Sequence, residues 1–74
     1  MIDLEDIAAR LEDDERLMLK YRVQVKSGEE SEWVVRCDPL LDVAEDRGIL
    51  FVRRDGEPVY VMLDEAIEVL PASD

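Results

Sequence analysis

Residues 17–26 alternate between two kinds of side chain, and this run constrains the fold more than any other feature of the sequence. One set of alternate positions is entirely apolar, and the other is polar except for Met18. Successive side chains of a strand point to opposite faces, so the alternation predicts a strand over about 17–26 with one face in a core. The apolar set consists of Leu17, Leu19, Tyr21, Val23 and Val25. The opposite face carries Lys20, Arg22 and Lys26.

The segment before this strand has the spacing of a helix. Its apolar residues recur at intervals of three and four, which places them on one helical face. They are Leu4, Ile7, Ala8 and Leu11. Asp3 can cap the first turn by accepting a backbone N–H, and Ile2 can pack on Ile7 as a hydrophobic staple. These signals predict a helix over about residues 4–13.

A second strand is predicted over about residues 31–37, after a turn at Ser27–Glu30. Alternate side chains of this strand are apolar, and we expect that set to face the core. The set is Trp33, Val35 and Cys37. Pro39 is expected to end the strand, because proline cannot donate a hydrogen bond to a neighbouring strand. Residues 39–48 are then expected to form an irregular loop that contains a helical turn.

Three shorter strands are predicted in the second half of the chain, over about 49–54, 57–63 and 67–70. Asp55–Gly56 is a preferred pair for a two-residue type I′ turn, which would join the first two of these strands as a hairpin. The strand over 49–54 begins with four apolar residues, as is typical of a strand in the middle of a sheet. A tight turn at 64–66 is expected before the last strand.

These elements predict a single domain over residues 1–74, mainly β with an N-terminal α-helix. Five short antiparallel strands leave sheet edges that must be protected, and closure into a barrel is one way to protect them. We therefore expect a small five-stranded SH3-like or Sm-like barrel. A flat sheet covered by the helix is the alternative.

The charge of the chain bears on the kind of partner it can bind. Twenty Asp and Glu oppose nine Lys and Arg, so the formal net charge is −11. Such a surface repels nucleic acid and anionic lipid, whereas it attracts a basic protein. We therefore expect a basic protein partner, no direct nucleic-acid binding and no membrane. The alternative is that the charge serves solubility alone, as in proteins of salt-loving organisms.

Some basic residues form a possible exception to this acidic character. If Arg36 lies beside Lys20 and Arg22 across the sheet, a positive stripe would be available to a ligand or a nucleic acid. The alternative is that these side chains pair with carboxylates on neighbouring strands, which contributes only a few tenths of a kcal/mol each. An exposed strand edge would also allow a weak homodimer.

No residue pattern indicates catalysis, a cofactor or a metal site. The chain has no histidine and a single cysteine, Cys37, so the commonest general base and a cysteine-rich zinc site are both excluded. Neither a Gly-rich phosphate loop nor a nucleophile elbow is present. We therefore expect a non-enzymatic protein. The acidic N-terminus lacks the features of a signal peptide, and we expect a cytoplasmic protein.

The order of elements resembles that of the Rof-type inhibitors of the bacterial transcription terminator Rho. The resemblance lies in the strand and turn at 25–29, the apolar strand at 49–52 and the closing segment 61–64 followed by Ile67. The early Cys-Asp-x-Tyr-Asp-type stretch of that family is absent here. The resemblance implies an Sm-like barrel whose carboxylates occupy a basic RNA-binding surface on the partner. The candidate partner-binding residues are then Asp3, Glu5, Asp6, Glu29 and Glu30.

A second resemblance is to the barrel of WYL regulatory domains, which bind ligands or nucleic acid. It depends on Lys20–Tyr21, Gly28, Asp38–Leu40 and Leu63–Asp64, which follow in a similar order. The Trp-Tyr-Leu triplet of that family is missing, and residues 49–51 stand near its place. The arginines that such domains use for nucleotide ligands are not matched.

Overall fold

The computed structural model describes residues 2–72 as one helix and one five-stranded antiparallel sheet. The elements are α1 (Leu4–Glu12), β1 (Leu17–Ser27), β2 (Glu30–Ala44), a 3₁₀ turn (Glu45–Arg47), β3 (Ile49–Arg54), β4 (Glu57–Met62), a second 3₁₀ turn (Leu63–Glu65) and β5 (Ala66–Pro71). The strand order is β4-β3-β2-β1-β5. The mainly β fold with an N-terminal helix is thus confirmed. Closure of the barrel stays a prediction, because the pairing found within residues 2–72 leaves β4 and β5 at opposite edges.

The helix begins and ends as its sequence signals indicate. The Asp3 carboxylate accepts hydrogen bonds from the backbone N–H groups of Glu5 (3.1 Å) and Asp6 (3.3 Å), which confirms the N-cap. Ile7 is buried and Ile2 packs against the same core. The chain leaves the helix at Asp14, whose φ of 60° is left-handed. No helix in the described part of the chain is long and apolar enough to cross a membrane.

Strand β2 is much longer than predicted, and the predicted loop over 39–48 is wrong. Strand β2 pairs with β1 as far as Pro39, opposite Met18, and then pairs with β3 from Leu40 onward. Proline has no N–H to donate, and here it stands where the strand changes partners. A bulge between Leu40 and Asp42 bends the strand at the same place. Only the end of the predicted loop forms the expected helical turn, at Glu45–Arg47.

The prediction that the alternate apolar residues of β2 face the core is also wrong. Trp33, Val35 and Cys37 are exposed rather than buried. The register pairs Tyr21 with Arg36, so the core-facing side of β1 lies opposite the even-numbered residues of β2. Two charged residues at those even positions, Arg36 and Asp38, satisfy one another through a hydrogen bond. The apolar alternation of β2 therefore marks its outward face.

The core lies between the helix and the sheet. It is formed by Ile7, Leu17, Leu19, Tyr21, Leu40, Leu50, Val52 and Val61. The hairpin between β3 and β4 has the predicted type I′ turn, because both Asp55 (φ 53°) and Gly56 (φ 85°) are left-handed. Its register pairs Val52 with Val59. Strand β3 lies between β4 and β2, as its continuous apolar run predicts.

Candidate functional site

A groove runs between the start of α1 and strand β5. It has a volume of about 290 Å³ and adjoins two further depressions of about 250 and 420 Å³. Ile2 lines all three. We use the name α1–β5 groove for the surface formed by Ile2, Asp3, Asp6, Leu63, Ile67 and Glu68.

The floor of the α1–β5 groove gains an apolar residue from an irregularity in β5. Strand β1 pairs Lys20 with Glu68 and the next residue, Tyr21, with Ala66. Ile67 is therefore the extra residue of a bulge, and its side chain is 44% exposed. Leu63, from the 3₁₀ turn before β5, is exposed beside it. Bulges commonly redirect a side chain near a binding site, and this one places an apolar residue in the groove.

The rim of the groove is acidic. Asp3 and Asp6 come from the first turn of α1, where negative charge is favoured by the helix dipole. Glu68 of β5 also lines the groove, and it stands opposite Lys20 of β1. The one basic lining residue, Arg10, already contacts Glu15 at 3.3 Å. An apolar floor with carboxylates at its edge suits a lysine or arginine side chain, whose long apolar stem can lie on the floor while its charged end meets the rim.

The structure brings only part of the predicted acidic site together. Asp3 and Asp6 line the groove, whereas Glu5 is exposed in the same turn and is not among the lining residues. Glu29 and Glu30 lie at the turn that joins β1 and β2. That turn is six residues beyond Tyr21, or about 20 Å at 3.3 Å per residue. The sequence prediction missed Glu68 and the apolar floor, because neither the bulge nor the packing of α1 beside β5 has a local signal.

The far halves of β1 and β2 form an arm. Strand β5 pairs with β1 only up to Tyr21, and β3 pairs with β2 only from Leu40. Residues 22–35, which we call the arm, therefore pair only with one another. The Val25 side chain is 42% exposed on one face of the arm.

The outer face of the arm combines positive charge with apolar surface. Arg22 and Lys26 share this face, and Lys20 lies on the same face of β1 just before the arm begins, as predicted. Trp33 and Val35 lie beside them and are 51% and 60% exposed. The Arg22 guanidinium lies 4.7 Å from the centre of the Trp33 ring, a cation–π contact.

Arg36 does not join this stripe, so the predicted positive stripe of Lys20, Arg22 and Arg36 is wrong. Arg36 lies on the opposite face of β2, where its guanidinium contacts Asp38 at 3.2 Å and Asp55 at 3.6 Å. The register explains the error, because a residue opposite Tyr21 shares the core-facing side of β1. The positive face consists of β1 residues, and the aromatic residue beside them is Trp33.

A polar network joins three strands at the base of the arm. The buried Tyr21 hydroxyl donates to the Asp38 carboxylate at 2.5 Å. Arg54 Nε donates to the same hydroxyl at 3.0 Å, and its guanidinium lies 5.3 Å from the Tyr21 ring centre. Arg36 Nε donates to the Asp38 carboxylate at 3.2 Å. The network links β1, β2 and β3 where the arm leaves the rest of the sheet.

The pKa shifts in this network have the same structural origin. Burial raises the pKa of Tyr21, and the hydrogen bond to Asp38 raises it further. Burial also raises the pKa of Asp38, but the hydrogen bonds from Tyr21 and Arg36 outweigh that effect and leave the pKa below its usual value. Asp38 is thus held ionised and Tyr21 protonated. The network therefore stabilises the junction of the three strands and is not a proton-transfer pair.

Within residues 2–72, no three Cys, Asp or Glu side chains are grouped so that they could hold a metal ion. Cys37 is exposed on β2. Comparison with protein-family models, with curated proteins and with solved structures found no match. The resemblances to Rof-type inhibitors and to WYL domains therefore stay predictions.

Proposed function

We propose that this chain is a non-enzymatic regulatory or adaptor protein that binds a basic, nucleic-acid-handling protein and competes with nucleic acid for it. The observation that carries the proposal is the α1–β5 groove, in which an apolar floor is edged by Asp3, Asp6 and Glu68. A cationic side chain of the partner would lie on the floor and meet these carboxylates.

The choice of a nucleic-acid-handling partner follows from the chemistry of the ligand. Arginine and lysine side chains that bind phosphate also bind carboxylate, since both present anionic oxygens in similar geometry. A chain with a net charge of −11 is attracted over long range to a strongly basic surface, and this speeds encounter. The resemblance to Rof-type inhibitors makes Rho the first partner to test.

Direct binding to Rho, with and without RNA, tests the proposal. We expect the chain to bind Rho at low salt, to lose affinity as salt rises and to be displaced by RNA. Reversing two rim charges, Asp6→Lys with Glu68→Lys, should weaken binding at least about tenfold. The matched control, Asp46→Lys with Glu57→Lys, makes the same change in net charge at exposed positions outside the groove and should bind almost as wild type does.

If Rho does not bind, the same three proteins are used to capture partners from host lysate at low salt. A basic nucleic-acid-binding protein that wild type and control retain, and that the groove variant loses, would support the proposal with another target. Equal loss from the groove variant and the control would show that net charge alone matters. That result, or the absence of any captured protein, would overturn the proposal in favour of charge that serves solubility.

A further inference from the structure

We infer that residues 30–35 of β2 bind an extended segment of a basic protein as an added β-strand, along the edge that faces away from β1. In that segment basic and apolar residues would alternate. We call this edge the free edge of the arm. It does not line the α1–β5 groove, so the inference goes beyond the proposed function and does not rest on that groove.

The free edge has backbone groups that no strand pairs with in the described part of the chain. The two-residue turn at 28–29 makes its flanking residues a hydrogen-bonded pair, and such pairs alternate along an antiparallel ladder. Ser31, Trp33 and Val35 therefore direct their N–H and C=O groups away from β1. Strand β3 joins this side of β2 only from Leu40 onward. An open row of donors and acceptors is a template for a further strand.

The free edge also lacks the features that keep the other sheet edges from pairing. Strand β4 carries Pro58, and β5 has the bulge at Ile67 and ends at Pro71. Proline and bulges both interrupt an edge. The register of the arm is regular, and residues 30–35 contain no proline. The 3₁₀ turn Leu63–Glu65 contacts β1, so the β2 side of the arm is the more open one.

The charges of the arm are separated between its two faces. Arg22 and Lys26 lie on the outer face, whereas Glu30 and Glu32 lie on the core-facing side, with Glu29 at the turn. Glu30 and Glu32 are exposed, and neither forms an ion pair in the described part of the chain. They are among the residues that line a depression of about 140 Å³. An added strand would place alternate side chains beside these carboxylates, and lysine or arginine suits that position.

The other alternate residues of the free edge are apolar. Trp33 and Val35 are 51% and 60% exposed on the outer face. Cross-strand neighbours on one face of a sheet lie about 4.5–5.5 Å apart, so apolar residues of an added strand would cover them. Because the Arg22 guanidinium lies against the Trp33 ring, a cationic side chain of the occupant is disfavoured on this face. The two faces together specify alternating basic and apolar residues in the occupant.

The same carboxylates make a second copy of this chain a poor occupant. Antiparallel pairing of two free edges would bring Glu30 and Glu32 of one copy close to those of the other, and like charges opposite one another destabilise a sheet. The net charge of −11 also opposes the approach of another copy and attracts a basic partner.

Binding of a designed peptide tests the inference. The peptide has about nine residues, blocked ends and alternating lysine and valine, and it extends about 30 Å as a strand. Trp33 is the only tryptophan, and its fluorescence should shift to shorter wavelength as the peptide covers it. At about 0.15 M salt, where long-range attraction is screened, a peptide of the same composition with its lysines and valines in two blocks should bind at least about tenfold more weakly.

Backbone methylation of the peptide separates strand pairing from charge attraction. Alternate N–H groups of an extended strand point to opposite edges. In antiparallel pairing the residue that exchanges hydrogen bonds with Trp33 is a valine, because it shares the face of Trp33. Methylation of every valine backbone nitrogen should therefore weaken binding at least about tenfold, and methylation of every lysine backbone nitrogen should not. The reverse order would support pairing in the parallel direction, and equal affinities would overturn the inference.

A variant of the protein tests the same backbone contact. Val35→Pro removes an N–H that points away from β1, so it leaves the hydrogen bonds between β1 and β2 in place. Val35→Thr keeps that N–H and is the matched control. The proline variant should bind the peptide at least about tenfold more weakly, and the threonine variant should bind almost as wild type does.

A charge reversal tests the acidic side of the free edge. Glu30→Lys with Glu32→Lys should lose the lysine–valine peptide and gain binding of a glutamate–valine peptide, and this gain would also show that the variant is folded. Asp46→Lys with Glu57→Lys makes the same change in net charge elsewhere and should keep the lysine–valine peptide. Equal loss from both variants would overturn the inference, as would a wild-type chain that does not bind this peptide.

Self-association of wild type that Val35→Pro abolishes would assign the free edge to a second copy and would also overturn the inference. Failure here leaves the proposed function intact if the groove variant, Asp6→Lys with Glu68→Lys, still loses its basic partner. Conversely, a groove variant that keeps both its basic partner and the lysine–valine peptide would support the free edge and overturn the role of the groove.

Discussion

The arm and the rest of the domain, which we call the body, share the strands β1 and β2. The same apolar alternation is buried in the body and partly exposed in the arm. Leu19 and Tyr21 lie in the body half of β1 and are fully buried, whereas Val25 continues the same alternation in the arm and is 42% exposed. The difference begins where β5 and β3 stop pairing with the long hairpin. An apolar alternation therefore identifies a strand, and neighbouring elements decide whether its face is covered.

The junction between these regions is reinforced by polar contacts. The body ends at Tyr21, and the hydroxyl of that residue joins Asp38 and Arg54 in one network. A hydrogen bond to a charged group contributes more than a neutral one, typically about 1.5–3 kcal/mol. The arm is thus anchored at its base, while its far half is held by pairing between its two strands.

The largest expected difference between the regions comes from shortening one valine in each. Val52→Ala removes two methyl groups from a fully buried position and should lower the free energy of unfolding by about 2 kcal/mol. Val35→Ala, the matched change in the arm, should lower it by less than about 0.5 kcal/mol. Thermal unfolding of dilute protein measures both. Equal losses would show that the arm is as well covered as the body.

Acid should weaken the junction between arm and body. The pKa of Asp38 is lower in the folded protein than in the unfolded chain, so its stabilising effect is present above about pH 4 and is lost as the pH falls further. Asp38→Asn should cost about 1–2 kcal/mol at pH 7, and the gap to wild type should close at low pH. Hydrogen exchange of arm amides should report the change first.

Asp46→Asn is the control for this prediction, since Asp46 is exposed on the first 3₁₀ turn and makes no ion pair within the described residues. It should follow wild type throughout the titration. A gap between Asp38→Asn and wild type that stays constant from pH 7 to below the Asp38 pKa would contradict the expected linkage and assign the loss to packing.

Much of the fold follows from local signals in the sequence. The cap at Asp3, the alternation from Leu17 and the Asp55–Gly56 turn each predict what the structure shows, because each depends on residues close together in the chain. The length of β2 does not follow from local signals of this kind. Pro39 ordinarily ends a strand, and only the arrival of β3 at Leu40 allows the chain to remain extended.

The outward face of β2 could have been found from the sequence alone. The two-residue turn pairs Ser27 with Glu30, and counting back from it places Gln24 opposite Trp33. Trp33 then shares a face with Arg22 and cannot lie on the core side of β1. The groove could not be found from the sequence in this way, since Ile67 enters it through a bulge that forms only when β5 pairs with β1. Two of the three rim carboxylates, Asp3 and Asp6, were predictable, and the floor was not.

The smallest expected effects come from the two hairpin glycines, one in each region. Gly28 (φ 68°) turns the arm and Gly56 (φ 85°) turns the β3–β4 hairpin, and an added Cβ would meet nothing within 4 Å at either position. Substitution by alanine should therefore cost only backbone strain, about 1 kcal/mol. In the body, Gly56→Ala should lower global stability by that amount. In the arm, Gly28→Ala should speed amide exchange of residues 22–35 about fivefold, because the strain is released when the arm opens without the body.

Asparagine tolerates the left-handed region, so Asn at either position should recover part of the loss. A Gly28→Ala variant that loses global stability as Gly56→Ala does would show that arm and body unfold together.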